Sequence, residues 1–247
     1  MPHYIKAEAA LDHTVIYTTD EGAYFRFSGG TWAWRNHNPG NLVSGKISAQ
    51  NNQIGRTKKF AIFPDYESGH SALIDCLKIT YENATIDYLV QKFAPAEDGN
   101  DVVKYTKFLR DQTGVYDDKK VKNFTPEEFD KLWKGIEQIE GYKDGTIIEV
   151  FPVIQVHKNQ KGILDYNIKT KGWFFKTECI KLAKQGLLDL VICSSPQGHD
   201  YLRARKGSAV NGSLNKLIVK NPDKKNKRSS KNPLLTIVSA ETADVAI

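Results

Sequence analysis

From Trp34 to Leu42 the chain reads WRNHNPGNL, and the stretch NHNPGNL packs three asparagines, a proline and a glycine into seven residues. Pro39 fixes its own φ, Gly40 opens conformations closed to other residues, and asparagine side chains bond nearby backbone. The segment is predicted to be an ordered turn rather than helix or strand, and the rest of the chain has to be arranged around it. Upstream, TVIYTT and AYFRFS flank Asp20-Glu21-Gly22 and read as a β-hairpin, followed by Gly29-Gly30 and the aromatic pair Trp32 and Trp34.

Downstream of a polar, Asn- and Gln-rich loop, Phe60, Ile62 and Phe63 suggest a short strand stopped by Pro64, with Asp65 placed to cap a helix carrying Ala72, Leu73, Leu77 and Tyr81. A second helix is expected from Thr85 to Phe93 and a third from about Asp101 to Gly114. Thr125-Pro126-Glu127-Glu128 is a capping box with proline at the first helical position. Behind it Phe129, Leu132, Trp133, Ile136 and Ile139 make one apolar stripe that closes at Gly141, and YKDGTIIE reads as the junction between domains. Beyond Val150 the pattern changes. VFPVIQVHKN and ILDYNIKT alternate as paired strands, KTECIKLAKQG is a short helix, and LLDLVICSS and GHDYLRAR add two strands, together a compact α+β module.

The net charge of +6 is localised: from Lys216 to Lys231 there are seven basic residues and one acidic, Asp223. The remainder is close to neutral, so a basic nucleic-acid-binding face is not expected in the folded part. The basic run is read as a solvated linker or as a handle for an acidic surface. Cys76, Cys179 and Cys193 are odd in number and widely spaced, neither a disulfide framework nor a zinc pattern, and the six histidines contain no HExxH. No metal and no cofactor are expected. No run approaches the roughly 18–20 apolar residues of a membrane span, and the N-terminus lacks an apolar signal core. The expectation is a chain made in the cytoplasm that stays there or leaves by a route reading no such signal.

WRNHNPGNL, then IG, FAIFPDYESGHSAL, KFAP with an acidic-Asn loop, and YTKFL before TGV, resemble a lysozyme-like group of phage virion proteins and bacterial cell-wall-targeting proteins over roughly residues 14–116. A looser similarity reaches flagellar-type glucosaminidases. The resemblance implies cleavage of peptidoglycan glycan strands by a muramidase or glucosaminidase type of hydrolase. The expected fold is then α+β: a mainly helical lysozyme-like domain with a small β element at 1–145, a small α+β accessory domain at 148–218 similar to an uncharacterised bacterial domain, and a basic flexible tail at 219–247. Delivery without a signal peptide implies a phage-tail or type VI-like carrier, an antibacterial role in a target periplasm or a place in a virion, and a cognate immunity protein as partner.

Sugars are bound by aromatic faces and fixed polar side chains, so Trp34, Arg35, Asn36, Asn38 and Asn41 are the expected substrate platform, the floor of a groove, with Asp98 and Tyr105 from the AP…N…Y element beside it. Asparagines bonding only their own backbone and tryptophans belonging to the core are the competing reading. Glycoside hydrolysis needs a carboxylic acid at the scissile oxygen. In the glucosaminidases the acid lies at a helix end upstream of the Asn turn; here a hairpin stands upstream, and Glu21 has the right offset but sits at its tip. Glu67 matches the position before Gly69, yet a first-turn carboxylate is favoured in its charged form, the opposite of a general acid. Asp98 and Asp101 come third, as turn and N-cap residues. Two other functions stay open: a wall-binding adaptor or virion component without the acid, and a Cys-dependent amidase using Cys76 with His157 or His199.

Overall fold

The computed structural model describes residues 2–10, 13–160, 162–205 and 213–219. These residues form two compact units, each described by itself. One, the bend unit, comprises His3–Ala9 and Gly29–Gly145; the other, the terminal unit, takes the described parts of Met1–Pro2, Ala10–Ser28 and Thr146–Ile247.

In the bend unit, β1 (Tyr4–Ala10) is followed, after the hairpin, by α1 (Trp32–Arg35), α2 (Lys46–Gln50), the antiparallel pair β4 (Gly55–Thr57) and β5 (Phe60–Ile62), and the helices α3 (Tyr66–Asp75), α4 (Ile86–Phe93), α5 (Val102–Thr113) and α6 (Pro126–Glu140). Local chemistry sets most of these limits. Asp65, Thr85 and Asp101 each accept a backbone N–H at their helix's first turn, and Gly114 ends α5 with φ 75°. At α6, Thr125 Oγ1 accepts from Glu128 N (3.2 Å) while Glu128 Oε2 accepts from Thr125 N (2.7 Å), the reciprocal pair of a capping box. The apolar faces meet in one core that includes Phe63, Leu73, Leu77, Ile86, Leu89, Leu109, Leu132 and Ile136.

In the terminal unit, the hairpin strands β2 (Thr14–Thr19) and β3 (Tyr24–Ser28) are joined by β6 (Thr146–Val150), antiparallel to β3 with Tyr24 opposite Val150. A second sheet has the order β12-β7-β8-β9, formed by β7 (Val153–Asn159), β8 (Gly162–Ile168), β9 (Gly172–Phe175) and β12 (Ile218–Val219), the last running parallel to β7. The helix α7 (Lys176–Lys184) and the hairpin of β10 (Leu190–Ser194) and β11 (Asp200–Ala204) close a core around Val156, Tyr166, Cys179, Leu190 and Leu202. Asp189, buried, is held by Arg26 (3.0 Å) and Arg205 (3.1 Å), and burial pushes the Arg26 guanidinium below its ordinary value despite that pairing.

Four expectations are corrected. The protein is α+β but not mainly helical: 38% helix and 29% strand, with seven helices and four sheets among the described residues. The reason is that β-rich runs expected as a small element are matched by partners remote in sequence. For the same reason the 1–145 domain does not hold together as drawn, because Ala10–Ser28 groups with Thr146 onward. YKDGTIIE is accordingly not a plain junction, since Thr146–Val150 is the sheet partner of β3. Val219, expected in the tail, pairs with His157 in β12, and the remainder of the basic tail lies outside the described residues. Among the described residues no helix is long and apolar enough to cross a membrane.

Candidate functional site: the asparagine bend and the end of α6

The bend is built inward. Asn38 is fully buried; its Nδ2 donates to the carbonyls of Leu42 (2.9 Å) and Ala61 (3.0 Å), and its Oδ1 accepts from Leu42 N (2.9 Å). One side chain thus closes its own turn and staples it to β5. Asn36, also buried, accepts from Thr57 Oγ1 (3.0 Å), and its carbonyl takes Phe63 N. His37 and Asn41 adopt left-handed backbone (φ 47° and 45°), which asparagine tolerates better than most residues. A Cβ at Gly69 would run into the His37 carbonyl oxygen, so only glycine lets α3 lie against the bend this closely. Burial also pushes His37 below its ordinary value, although the Phe63 carbonyl opposes the shift.

Arg35 is spent on architecture as well. Its guanidinium donates to the carbonyls of Gly29 and Gly30 and stacks by Trp32, with its ionisation lowered by burial. The Gly29-Gly30 turn in turn receives the chain leaving α6. Thr31 N donates to Lys143 O (3.0 Å), Lys143 N donates to Thr31 Oγ1 (3.1 Å), and a Cβ at Gly30 would meet Lys143 O at 2.5 Å. That docking delivers the last turn of α6 to the bend.

Two carboxylates stand in that last turn. Glu140 Oε2 accepts from Asn41 Nδ2 (2.8 Å) and Oε1 from Tyr105 Oη (2.9 Å). Glu137 Oε2 accepts from Tyr66 Oη (2.8 Å), and Oε1 lies 2.9 Å from His70 Nδ1. Residues three apart on a helix have Cβ atoms about 5–6 Å apart, so the two acids share one face. Burial first, then the neighbouring carboxylate, pushes the Tyr105 and Tyr66 phenols far above their ordinary range, which keeps both protonated as donors. His70 lies flat against Tyr66 and edge-on to Trp133, and Tyr142 meets Tyr66 edge-on. A separate open groove of about 620 Å³ lies along the first half of α6, walled by Phe124, Pro126, Phe129 and Trp133, and none of Asn41, Tyr105, His70, Glu137 and Glu140 lines it.

The placement is costly to the helix. The C-terminal end of a helix favours cations, and α6 has two acids and no basic residue in its last turn. Asn41 Oδ1, on the side chain that bonds Glu140, is buried and among the described residues has no hydrogen-bond partner.

The expected platform is therefore corrected for Trp34, Arg35, Asn36 and Asn38, which are buried and serve the fold. Asn41 and Tyr105 are brought together, on Glu140. Asp98 pairs with Lys59 (2.5 Å) in an exposed turn. Glu67 is exposed in the first turn of α3, and Glu21 lies at the exposed tip of the hairpin, in the terminal unit. Cys76 has its thiol pushed up to about 11 by burial, the reverse of an activated nucleophile, while His157 and His199 belong to the other unit. Among the described residues no group of three or more His, Cys, Asp or Glu is placed to hold a metal. Glu137, Glu140, His70 and Tyr66 were not singled out from the sequence for acid–base work with one another. The available signal was IEQIEG, two acids without a cation at the end of a well-capped helix. Compared with known proteins, the chain matches no family model, no curated protein and no solved structure.

Proposed function

We propose that the chain cleaves the glycan strands of peptidoglycan, with Glu140 as the general acid. The observation that carries the reading is the Glu140 carboxyl fixed by Asn41 and Tyr105 at the unfavourable end of α6. A helix end loaded against its own dipole points to chemistry rather than stability as the reason for the acids. Each carboxyl oxygen has two lone-pair sites, so the two hydrogen bonds leave room for a proton to be carried. The sequence resemblance points the same way, and with it an antibacterial or virion role, a delivery carrier and an immunity partner.

The test is release of reducing sugar from purified sacculi. The parent is expected to be active, Glu140→Gln to lose at least about 10²-fold while remaining folded, and Glu67→Gln and Glu21→Gln to match the parent. A Glu140→Gln protein as fast as the parent would remove the assignment. A second reading, favoured by the hairpin that stands upstream of the bend where the glucosaminidases carry their acid on a helix, is a wall-binding protein without catalysis. A parent that sediments with sacculi and releases nothing would establish that one.

A further inference from the structure

We infer that His70 is the general base that activates water in this cleavage, with Glu137 as its positioning residue, so that the product is a free reducing sugar rather than an anhydro sugar. The inference rests on the glycosidase reading above and assigns a second catalytic group to the same site.

A carboxylate can only accept, so Glu137 Oε1 at 2.9 Å from Nδ1 places a proton on Nδ1, and in the neutral ring Nε2 is then the acceptor. Among the described residues Nε2 has no hydrogen-bond partner, and the side chain is 28% exposed, against 15% for Glu137. The ring cannot easily turn. Tyr66 stacks on one face (centroids 5.8 Å apart, 12° between planes), and Trp133 meets it at 4.6 Å and 76°. Tyr66 also holds the other Glu137 oxygen, which fixes the carboxylate that fixes the histidine. An imidazole pinned by an acid at one nitrogen and open at the other is the arrangement that removes protons from hydroxyl groups. Glu137, which holds the base, and Glu140, the acid, stand three residues apart on the same face of α6.

The step balances as follows. Water attacks the anomeric carbon, and His70 Nε2 takes its proton as the new carbon–oxygen bond forms. The bond to the leaving oxygen breaks, and that oxygen receives the proton of Glu140. The imidazolium and the carboxylate then exchange protons with solvent. An anhydro product, by contrast, uses the sugar's own hydroxyl as nucleophile and consumes no water.

The experiment uses the full chain with sacculi and with soluble chito-oligosaccharide. Products are separated by chromatography and mass in water enriched in heavy oxygen. The parent is expected to place the heavy oxygen at the new reducing end. His70→Gln keeps a donor toward Glu137 and should lose about 10²–10⁴-fold in kcat with little change in KM. In His70→Ala, added azide, a nucleophile with no proton to lose, should restore turnover as a glycosyl azide, while Glu140→Gln should not respond to azide. Circular dichroism and the unfolding midpoint confirm that each variant is folded. Loss of turnover on Glu137→Ala, recovered in part by Glu137→Asp, marks the positioning role. Anhydro products from the parent, or a folded His70→Gln as fast as the parent while Glu140→Gln is dead, overturn the inference and leave the glycosidase standing. A parent that releases no sugar from either substrate overturns the glycosidase reading itself.

Discussion

Replacing Asn38 with alanine separates a structural bend from a sugar-binding one. In the folded protein the Asn38 side chain serves three backbone groups: the Leu42 N–H, the Leu42 carbonyl and the Ala61 carbonyl. The Leu42 carbonyl also accepts from Ala61 N (2.9 Å) and is therefore not orphaned by the change. The Leu42 N–H and the Ala61 carbonyl each lose this partner inside a region with no access to water. A buried group left short of a hydrogen bond costs about 1–3 kcal/mol. With partial relaxation the sum is roughly 3 kcal/mol, and a chain of this size loses roughly 2–4 °C in midpoint per kcal/mol. The expected drop is thus about 6–12 °C, read by circular dichroism, together with a lower urea midpoint at unchanged slope. Asn38→Asp should do at least as badly, because a carboxylate would face two carbonyl oxygens. An Asn38→Ala protein as stable as the parent but unable to bind glycan would refute this reasoning and return Asn38 to the substrate platform.

Two further perturbations follow from the same geometry. Gly69→Ala should destabilise the bend unit by at least the roughly 1–3 kcal/mol typical of overpacking, because the added methyl meets the His37 carbonyl; chemical denaturation measures it. In alkali, burial raises Cys76 from 9.0 to about 11, and Tyr4 and Tyr81 from 10.0 to about 12. The unfolded chain releases these protons first, so their contribution is complete below about pH 9 and is lost as pH rises toward 12. The unfolding midpoint should fall across that window, and a midpoint that rises there would contradict the burial of these groups.

Helix positions were legible in the sequence wherever a local signal fixes them. Thr85, Asp101 and the Thr125–Glu128 box need only their own first turn, and the apolar stripe of α6 needs only its own period. The bend was legible as a bend for the same reason, since proline, glycine and asparagine act on their own backbone. The short α1 and α2 were not, because four or five residues carry too little periodicity to stand out. Nor was the pairing of β3 with β6, which depends on residues brought together from opposite halves of the chain.

The site divides along the same line. Sequence alone determined that residues 36–42 would turn, that α6 would end at Gly141, and that two acids would stand in its final turn. Tertiary structure alone decided which way the bend faces and what the acids meet. The asparagines point inward because β5 and α3 close over them, and Glu140 meets Asn41 and Tyr105 because the Gly29-Gly30 turn captures the chain beyond α6. Hydrogen bonds between segments far apart in the chain leave no trace in local composition, so the acid beside the bend became visible only once the chain was folded.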